Sequence, residues 1–234
     1  MTLAEILEQL TYGELSQLAM GGWDDGIRRE DLPKVLAHIN LGLKELYKRF
    51  WLSSKEVLVQ LHDHIQVYTL DKHYAATNTL SPAKEKYIID SVYQPFQNDL
   101  LKIEQVFNEN GELMYLNDLT EPWSLFTPSY NQLQVPFPEH HNILLVHYRA
   151  SHPKIELRPD EDPKDVQVML PEGLLEPLLL YVGYRAFGSL TSVPDAESSV
   201  YLQKFENSVQ NALKAGLQIS TCYGNMRLDN QGWV

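Results

Sequence analysis

A single cysteine, Cys222, stands in a chain of 234 residues. One thiol excludes an intrachain disulfide and any cysteine-rich zinc module, and it leaves only histidine and carboxylate as metal ligands, a usage that fits a reducing interior. Long apolar runs are missing as well. The longest strongly apolar stretch, Leu174 to Val182, is interrupted by Glu176 and Pro177, and the opening Met1 to Leu10 carries Glu5 and Glu8 with no basic residue ahead of an apolar run. Neither a membrane span nor a signal peptide is expected, and the chain reads as soluble. Basic residues are few: 19 Lys and Arg against 31 Asp and Glu, a net charge of -12. That field excludes a tight or sequence-reading grip on nucleic acid, which needs clustered cations, and leaves open a wall past which DNA moves without adhering. The chain also lacks a Gly-x-Ser-x-Gly elbow, a His-Glu-x-x-His helix and a phosphate-cradling glycine loop, so no enzyme activity and no cofactor are expected.

What is present is two kinds of hydrophobic period. A chain of this length hides about 70% of its extended surface on folding, enough for one large domain or two modest ones. Thr2 followed by Glu5 predicts a capping box ahead of Leu3, Ile6, Leu7 and Leu10, and Thr11 with Glu14 suggests a second box. Gly21, Gly22 and Gly26, with Asp24 and Asp25 between them, predict an exposed loop. From Asp31, a cap candidate, Leu32, Val35, Leu36, Ile39, Leu43, Leu46, Tyr47 and Phe50 recur at steps of three and four, the stripe of a helix near five turns long, with Pro33 tolerable in its first turn. Between Lys55 and Leu70 the period becomes two: Val57, Val59, Leu61, Ile65, Val67 and Thr69 against Gln60, His62, His64 and Gln66, which predicts one long half-buried strand. Residues 74 to 95 give no clear period. A hairpin is expected from Lys102 to Leu116, turning at Asn110 and Gly111, and another extended pair at Gln132 to Phe137 and Ile143 to Ala150, separated by a corner at 138 to 142. Pro153 to Pro171 predicts a surface crossing. Helical period resumes with Leu174, Leu175, Leu178, Leu179 and Val182, apolar almost all round and therefore central, and again from Asp195 through Leu202, Phe205, Val209 and Ala212 until Gly216.

The expected class is α+β: a bundle of about four helices with a long β-rich insertion and an extended C-terminal arm. Its parts are residues 1–53 and 172–216 as the two halves of the bundle, 54–151 as the insertion, 152–171 as the crossing and 217–234 as the arm. The predicted bundle core is Leu36, Ile39, Leu43, Leu46, Leu178, Leu179, Val182, Leu202, Phe205 and Val209.

Histidine supplies the one metal possibility. His62 and His64 share a face of the predicted strand, and His73, His140, His141, His147 and His152 add further imidazoles, but no local spacing sets a third ligand. No metal is expected; were one bound, His62, His64 and one of His140 or His141 would be its first ligands. Among carboxylates, Glu104 and Glu112 are candidates to face each other across the hairpin, without a substrate implied. Trp123, Phe126, Tyr130 and Phe137 lie among prolines in an extended segment, where they serve either as an interaction surface or as an ordinary domain edge and core.

The run Leu170-Pro171-Glu172, followed by Leu178-Leu179-Leu180-Tyr181-Val182-Gly183-Tyr184-Arg185-Ala186-Phe187 and then a helix over Tyr201 to Leu213, resembles the head-to-tail adaptor, or head-completion, proteins of short-tailed bacteriophages and related tailed phages. The local motif covers about 45 residues, and the order of helices, long insertion, paired helices and tail is similar to that family over most of the chain. The resemblance implies a virion protein at the portal vertex between head and tail, made in the host cytoplasm, with about twelve copies in a ring beneath the portal protein. It implies double-stranded genomic DNA passing through without sequence-specific binding, and no membrane. It implies a packing role for Leu178, Leu179, Tyr181, Val182, Tyr184, Arg185 and Phe187, and a portal-docking arm carrying Leu217, Ile219, Tyr223, Met226, Leu228 and Trp233. The insertion would meet tail tube, tail fibre or nozzle proteins, or a neighbouring copy. The alternatives are a different oligomeric interaction protein and a His-coordinated metal-dependent enzyme.

Overall fold

A computed structural model describes residues 1–16, 18, 21–22, 26–158, 161–189 and 195–217. The chain divides into two compact units, one formed by Met1–Leu52 together with the chain from Lys154, the other by Ser53–Pro153. Helices and antiparallel sheet are both present, in keeping with an α+β class, and among the described residues no helix is long and apolar enough to cross a membrane.

In the first unit α1 (Leu3–Tyr12) starts at a formed capping box: Glu5 N donates to Thr2 Oγ1 at 3.3 Å and Thr2 N donates to Glu5 Oε2 at 3.0 Å. Thr11 caps nothing. It lies inside α1 and its hydroxyl donates to the Leu7 carbonyl at 2.7 Å, because the helix has not yet ended there. The expected glycine loop is in part a short antiparallel ladder, β1 (Gly21–Gly22) with β2 (Gly26–Ile27); residues 23–25, Asp24 and Asp25 among them, lie outside the described residues. Then α2 (Leu32–Arg49) carries Pro33 in its first turn. Asp31 makes no side-chain cap and instead pairs with Lys34 Nζ at 3.4 Å, since its backbone is already helical and turns the carboxylate away from the free N–H groups.

The helices α3 (Leu175–Gly188) and α4 (Asp195–Lys214) complete this unit. Pro177 sits in the first turn of α3, where no hydrogen bond is lost. Leu178, Leu179, Leu180, Val182, Ala186 and Phe187 are all buried, so α3 is covered on nearly every side, packing against α1, α2 and α4. Leu36, Ile39, Leu43, Leu46, Phe205 and Val209 join the same core. Leu202 does not: it is 37% exposed. The buried stripe of α4 steps by four and three through Tyr201, Phe205, Val209 and Ala212, with Tyr201 stacked on Phe187 at 5.0 Å, and Leu202 falls about 100° off it.

The segment expected as a surface crossing is partly core. Ile155, Val168 and Leu170 are buried. Asn40 holds Ile155 through both backbone groups, at 2.9 and 2.8 Å, and Leu3 N donates to Val166 O while Val168 N donates to Met1 O, each at 2.9 Å. Apolar residues spaced singly among prolines show no period, which hid this role. A further tie joins α2 to α4: Arg49 is bidentate to Glu206 at 2.5 and 2.8 Å and lies 5.0 Å over the Phe205 ring. The same hydrogen bonds hold the Glu206 carboxyl below its ordinary range.

The second unit is mostly strand: β3 (Ser54–Gln60), β4 (Val67–Thr69), β5 (Ile88–Ile89), β6 (Leu100–Phe107), β7 (Gln132–Gln134) and β8 (Ile143–Ala150). Four form an antiparallel sheet in the order β5-β3-β8-β6, and β4 pairs with β7. Val57, Val59, Ile103, Val106, Val146 and Tyr148 make the buried face. The single strand expected over 55–70 is two strands. A turn closed by Ile65 N on His62 O at 3.0 Å interrupts it, and the phase flips beyond it, leaving Val67 44% exposed and Tyr68 buried. Tyr68 enforces the flip: its hydroxyl accepts from His62 N at 2.8 Å and donates to His62 O at 3.1 Å. Residues 132–134 and 143–150 are extended but pair with β4 and with β3 and β6, not with each other. The Asn-Gly turn is present, with Gly111 at φ +79 and the Asn108 side chain accepting from Asn110 N and Glu112 N. Its return arm is only a bridge, Phe107 to Leu113.

Helices α2 and α3 approach closely at Gly42, where a Cβ would lie 2.7 Å from Leu178 Cδ1 and 3.1 Å from Tyr181 Cδ1. Gly42→Val is expected to lower unfolding free energy by about 2 kcal/mol through overpacking, read as a shifted urea midpoint at unchanged slope.

Candidate interaction surfaces

The histidines predicted as a possible cluster do come together. The β3–β8 pairing brings the 138–142 corner beside the end of β3, with Leu61 N donating to Asn142 O at 2.7 Å and His141 N to Leu61 O at 3.2 Å. His62 lies 5.7 Å from His64 and 5.4 Å from His140, and His140 lies 3.8 Å from His141, ring centre to ring centre. His62 opens a turn and His64 lies within it, beyond the end of β3, so the two do not share a strand face. His64 faces carboxylates, Asp63 at 3.2 Å and Glu85 at 4.0 Å, and its hydrogen bond holds the Asp63 carboxyl below the ordinary range. Among the described residues no three His, Cys, Asp or Glu side chains are placed to hold one metal ion. His73 and His147 lie elsewhere, against Asp71 and Glu56. Glu104 and Glu112 do not face each other: Glu104 pairs with Arg149 at 2.6 Å and Lys102 at 2.9 Å, and Glu112 with Asn108 at 2.8 Å.

The aromatic segment divides. Residues 117–127 form a loop tied to itself: Asn117 N donates to Leu125 O at 2.7 Å, Thr127 N to Asn117 Oδ1 at 2.9 Å, and Asp118 N to Ser124 Oγ at 2.9 Å. Hydrogen bonds from Thr120 also hold the Asp118 carboxyl below its ordinary range. The loop presents Trp123, whose ring meets Phe137 at 5.0 Å and 57°. These two are 63% and 58% exposed, and they stand over a groove of about 250 Å³ floored by Leu61, Met114, Leu125 and Val135. Phe126 is half-buried, its backbone exchanging hydrogen bonds with Gln134 at 3.0 and 2.7 Å. Tyr130 is exposed in the turn before β7, away from the groove lining. Trp123 and Phe137 therefore act together, and the other two do not join them.

A wider groove of about 880 Å³ lies where β3 and β5 meet residues 90–97, lined by Leu58, Ile89, Tyr93, Phe96 and Tyr148. Sequence reasoning missed it because residues 74–95 follow neither period: only Ile88–Ile89 pairs in a ladder, with β3, and side-chain hydrogen bonds help hold the chain on either side of it. Asp90 is the clasp, accepting from Thr77 N at 2.9 Å, Thr77 Oγ1 at 2.6 Å and Phe96 N at 3.0 Å. Burial pushes its carboxyl up, but these donors outweigh it and the net shift is downward. Beneath, Asp99 accepts from Lys55 at 2.5 Å and Tyr148 at 3.1 Å, while burial and the Asp99 charge push the Tyr148 hydroxyl up.

Of the residues assigned to the arm only Leu217 is described. Its N–H donates to Ala212 O at 3.2 Å and its side chain covers Gly173. Ile219, Tyr223, Met226, Leu228 and Trp233 lie outside the described residues.

Asp90→Asn is expected to cost about 1–2 kcal/mol at neutral pH by weakening charge-assisted bonds. A carboxyl whose folded pKa is depressed contributes stability above its unfolded value and loses it as pH falls through the folded one. Chemical denaturation of the two proteins should thus differ most at pH 7 and converge below about pH 4.

No protein-family model matches the chain, and no curated protein matches it either.

Proposed function

We propose that the chain is a head-to-tail adaptor of a tailed phage, a structural virion protein and not an enzyme. In this reading a ring of about twelve copies docks beneath the portal protein, the β-rich insertion meets tail tube, fibre or nozzle proteins, and double-stranded DNA passes through the centre. The observation that carries it is the run from Leu170 to Phe187. The residues Leu178 to Phe187 of that run lie in α3, buried in a helical unit to which both ends of the chain contribute, while the residues between form a separate strand-rich unit. A four-helix bundle with a trailing arm is the finer architecture this reading adopts, the arm being residues 217–234. The net charge of -12 supports a channel wall that repels phosphate and leaves no adhesive wells along the path.

Mixed with portal rings, the protein is expected to add a symmetric layer at the portal, seen by electron microscopy. Deletion of residues 218–234 should abolish that layer while the truncated chain still unfolds cooperatively in urea; a truncated chain that still docks, or the absence of any layer with the full chain, overturns the assignment. Assembled rings should retain double-stranded DNA poorly at physiological salt in a filter-binding assay, and tight retention would contradict the low-adhesion wall.

A further inference from the structure

The groove beneath Trp123 and Phe137 has a charge environment that identifies what it takes. Its floor is apolar, and its rim carries Glu109 and Glu139. Glu112 adjoins it through Asn108, and Glu121 precedes Trp123 by two residues. None of these four carboxylates enters an ion pair among the described residues. No Lys or Arg occurs between Lys102 and Arg149 in the sequence, and the basic side chains next to Glu139 along the chain are the imidazoles of His140 and His141. Surface charge of one sign around an exposed aromatic pair, left without internal counter-ions, is complementary to a cationic partner.

The size limits the partner's anchor. About 250 Å³ is below the range of typical small-molecule pockets and suits one or two inserted side chains. Exposed Trp is the residue type that most often carries binding energy at such a point, and its face also attracts Arg or Lys. We infer that this groove is a docking site for a protein segment that seats one large apolar side chain in the groove beneath the touching Trp123 and Phe137 rings and places Lys or Arg against the Glu109 and Glu139 rim. The same carboxylates exclude acidic segments and nucleic acid. This inference does not depend on ring assembly, because the whole groove belongs to one unit of one chain.

The test is a two-dimensional NMR titration of the full chain with three capped pentapeptides: Arg-Lys-Trp-Lys-Arg, Glu-Glu-Trp-Glu-Glu and Arg-Lys-Gly-Lys-Arg. The first should shift the Trp123 indole and the residues around it saturably, and bind at least tenfold more tightly than the other two at low salt. Trp123→Ala should remove the binding, Glu109→Gln with Glu139→Gln should weaken it about tenfold, and Tyr130→Ala, outside the groove, should leave it intact. Saturable binding of the acidic peptide with equal affinity, binding indifferent to Trp123→Ala, or no saturable shift up to about 5 mM peptide overturns the inference. So does the same set of shifts produced by chitotetraose or maltotetraose in place of the basic peptide, which would make the groove a saccharide site.

Discussion

The fold depends on the burial of α3. A helix with Leu178, Leu179, Leu180, Val182, Ala186 and Phe187 around its circumference cannot lie on a surface, because it has no polar face to turn to water. It must be wrapped, and the helices that wrap it come from both ends of the chain: α1 and α2 from the first fifty residues, α4 from after it. Each fully buried leucine contributes roughly 2 kcal/mol of transfer free energy, so the enclosure of α3 outweighs single surface ion pairs, worth about 1 kcal/mol or less. Gly42 allows α2 to approach, and the bidentate Arg49–Glu206 pair fixes α2 against α4 at the edge of the same core.

Because the two halves must meet around α3, the hundred residues between them form a separate unit with its own core. That unit contains little regular structure beyond six strands, and its loops are held by side chains that bond to backbone: Asp90 to Thr77 and Phe96, Asn117 to Thr127, Asn108 across its turn, Tyr68 across the His62 turn and Tyr87 across Thr69. The aspartate and asparagines among them are short polar residues of the kind that compete with ladders for backbone groups. They allow long connections to be ordered without strands, and ordered loops can present aromatic side chains outward at little entropic cost on contact. The adaptor reading puts partner contacts on this unit, and the Glu109 and Glu139 rim beneath Trp123 and Phe137 gives contacts there a sign.

Periodicity made much of this legible. The stripe from Leu32 to Phe50, the capping box at Thr2, the Asn-Gly turn and the all-round apolar run of α3 are local properties, decided by residues within a few positions of one another. Pro177 in a first turn and Gly216 at the end of α4 follow the same logic. The failures are just as local in origin. Alternation from Val57 to Thr69 reads as one strand because a turn of ordinary residues carries no glycine or proline, and the bond that breaks it comes from a tyrosine hydroxyl. Leu202 looked equivalent to its neighbours because both it and Tyr201 are apolar enough to face inward, and Phe187 selects Tyr201.

The amino-acid order therefore determined where the helices lie, that α3 must be central, and that the chain is acidic, since each follows from spacing or charge along the chain. Only the tertiary structure decided which strands pair, that Ile155, Val168 and Leu170 are core, that four histidines gather at one corner, and that Trp123 and Phe137, but not Tyr130, share a groove. Those outcomes depend on contacts between residues far apart in sequence. Many alternative pairings share the same local pattern, and the choice among them rests on packing and hydrogen-bond satisfaction over the whole unit.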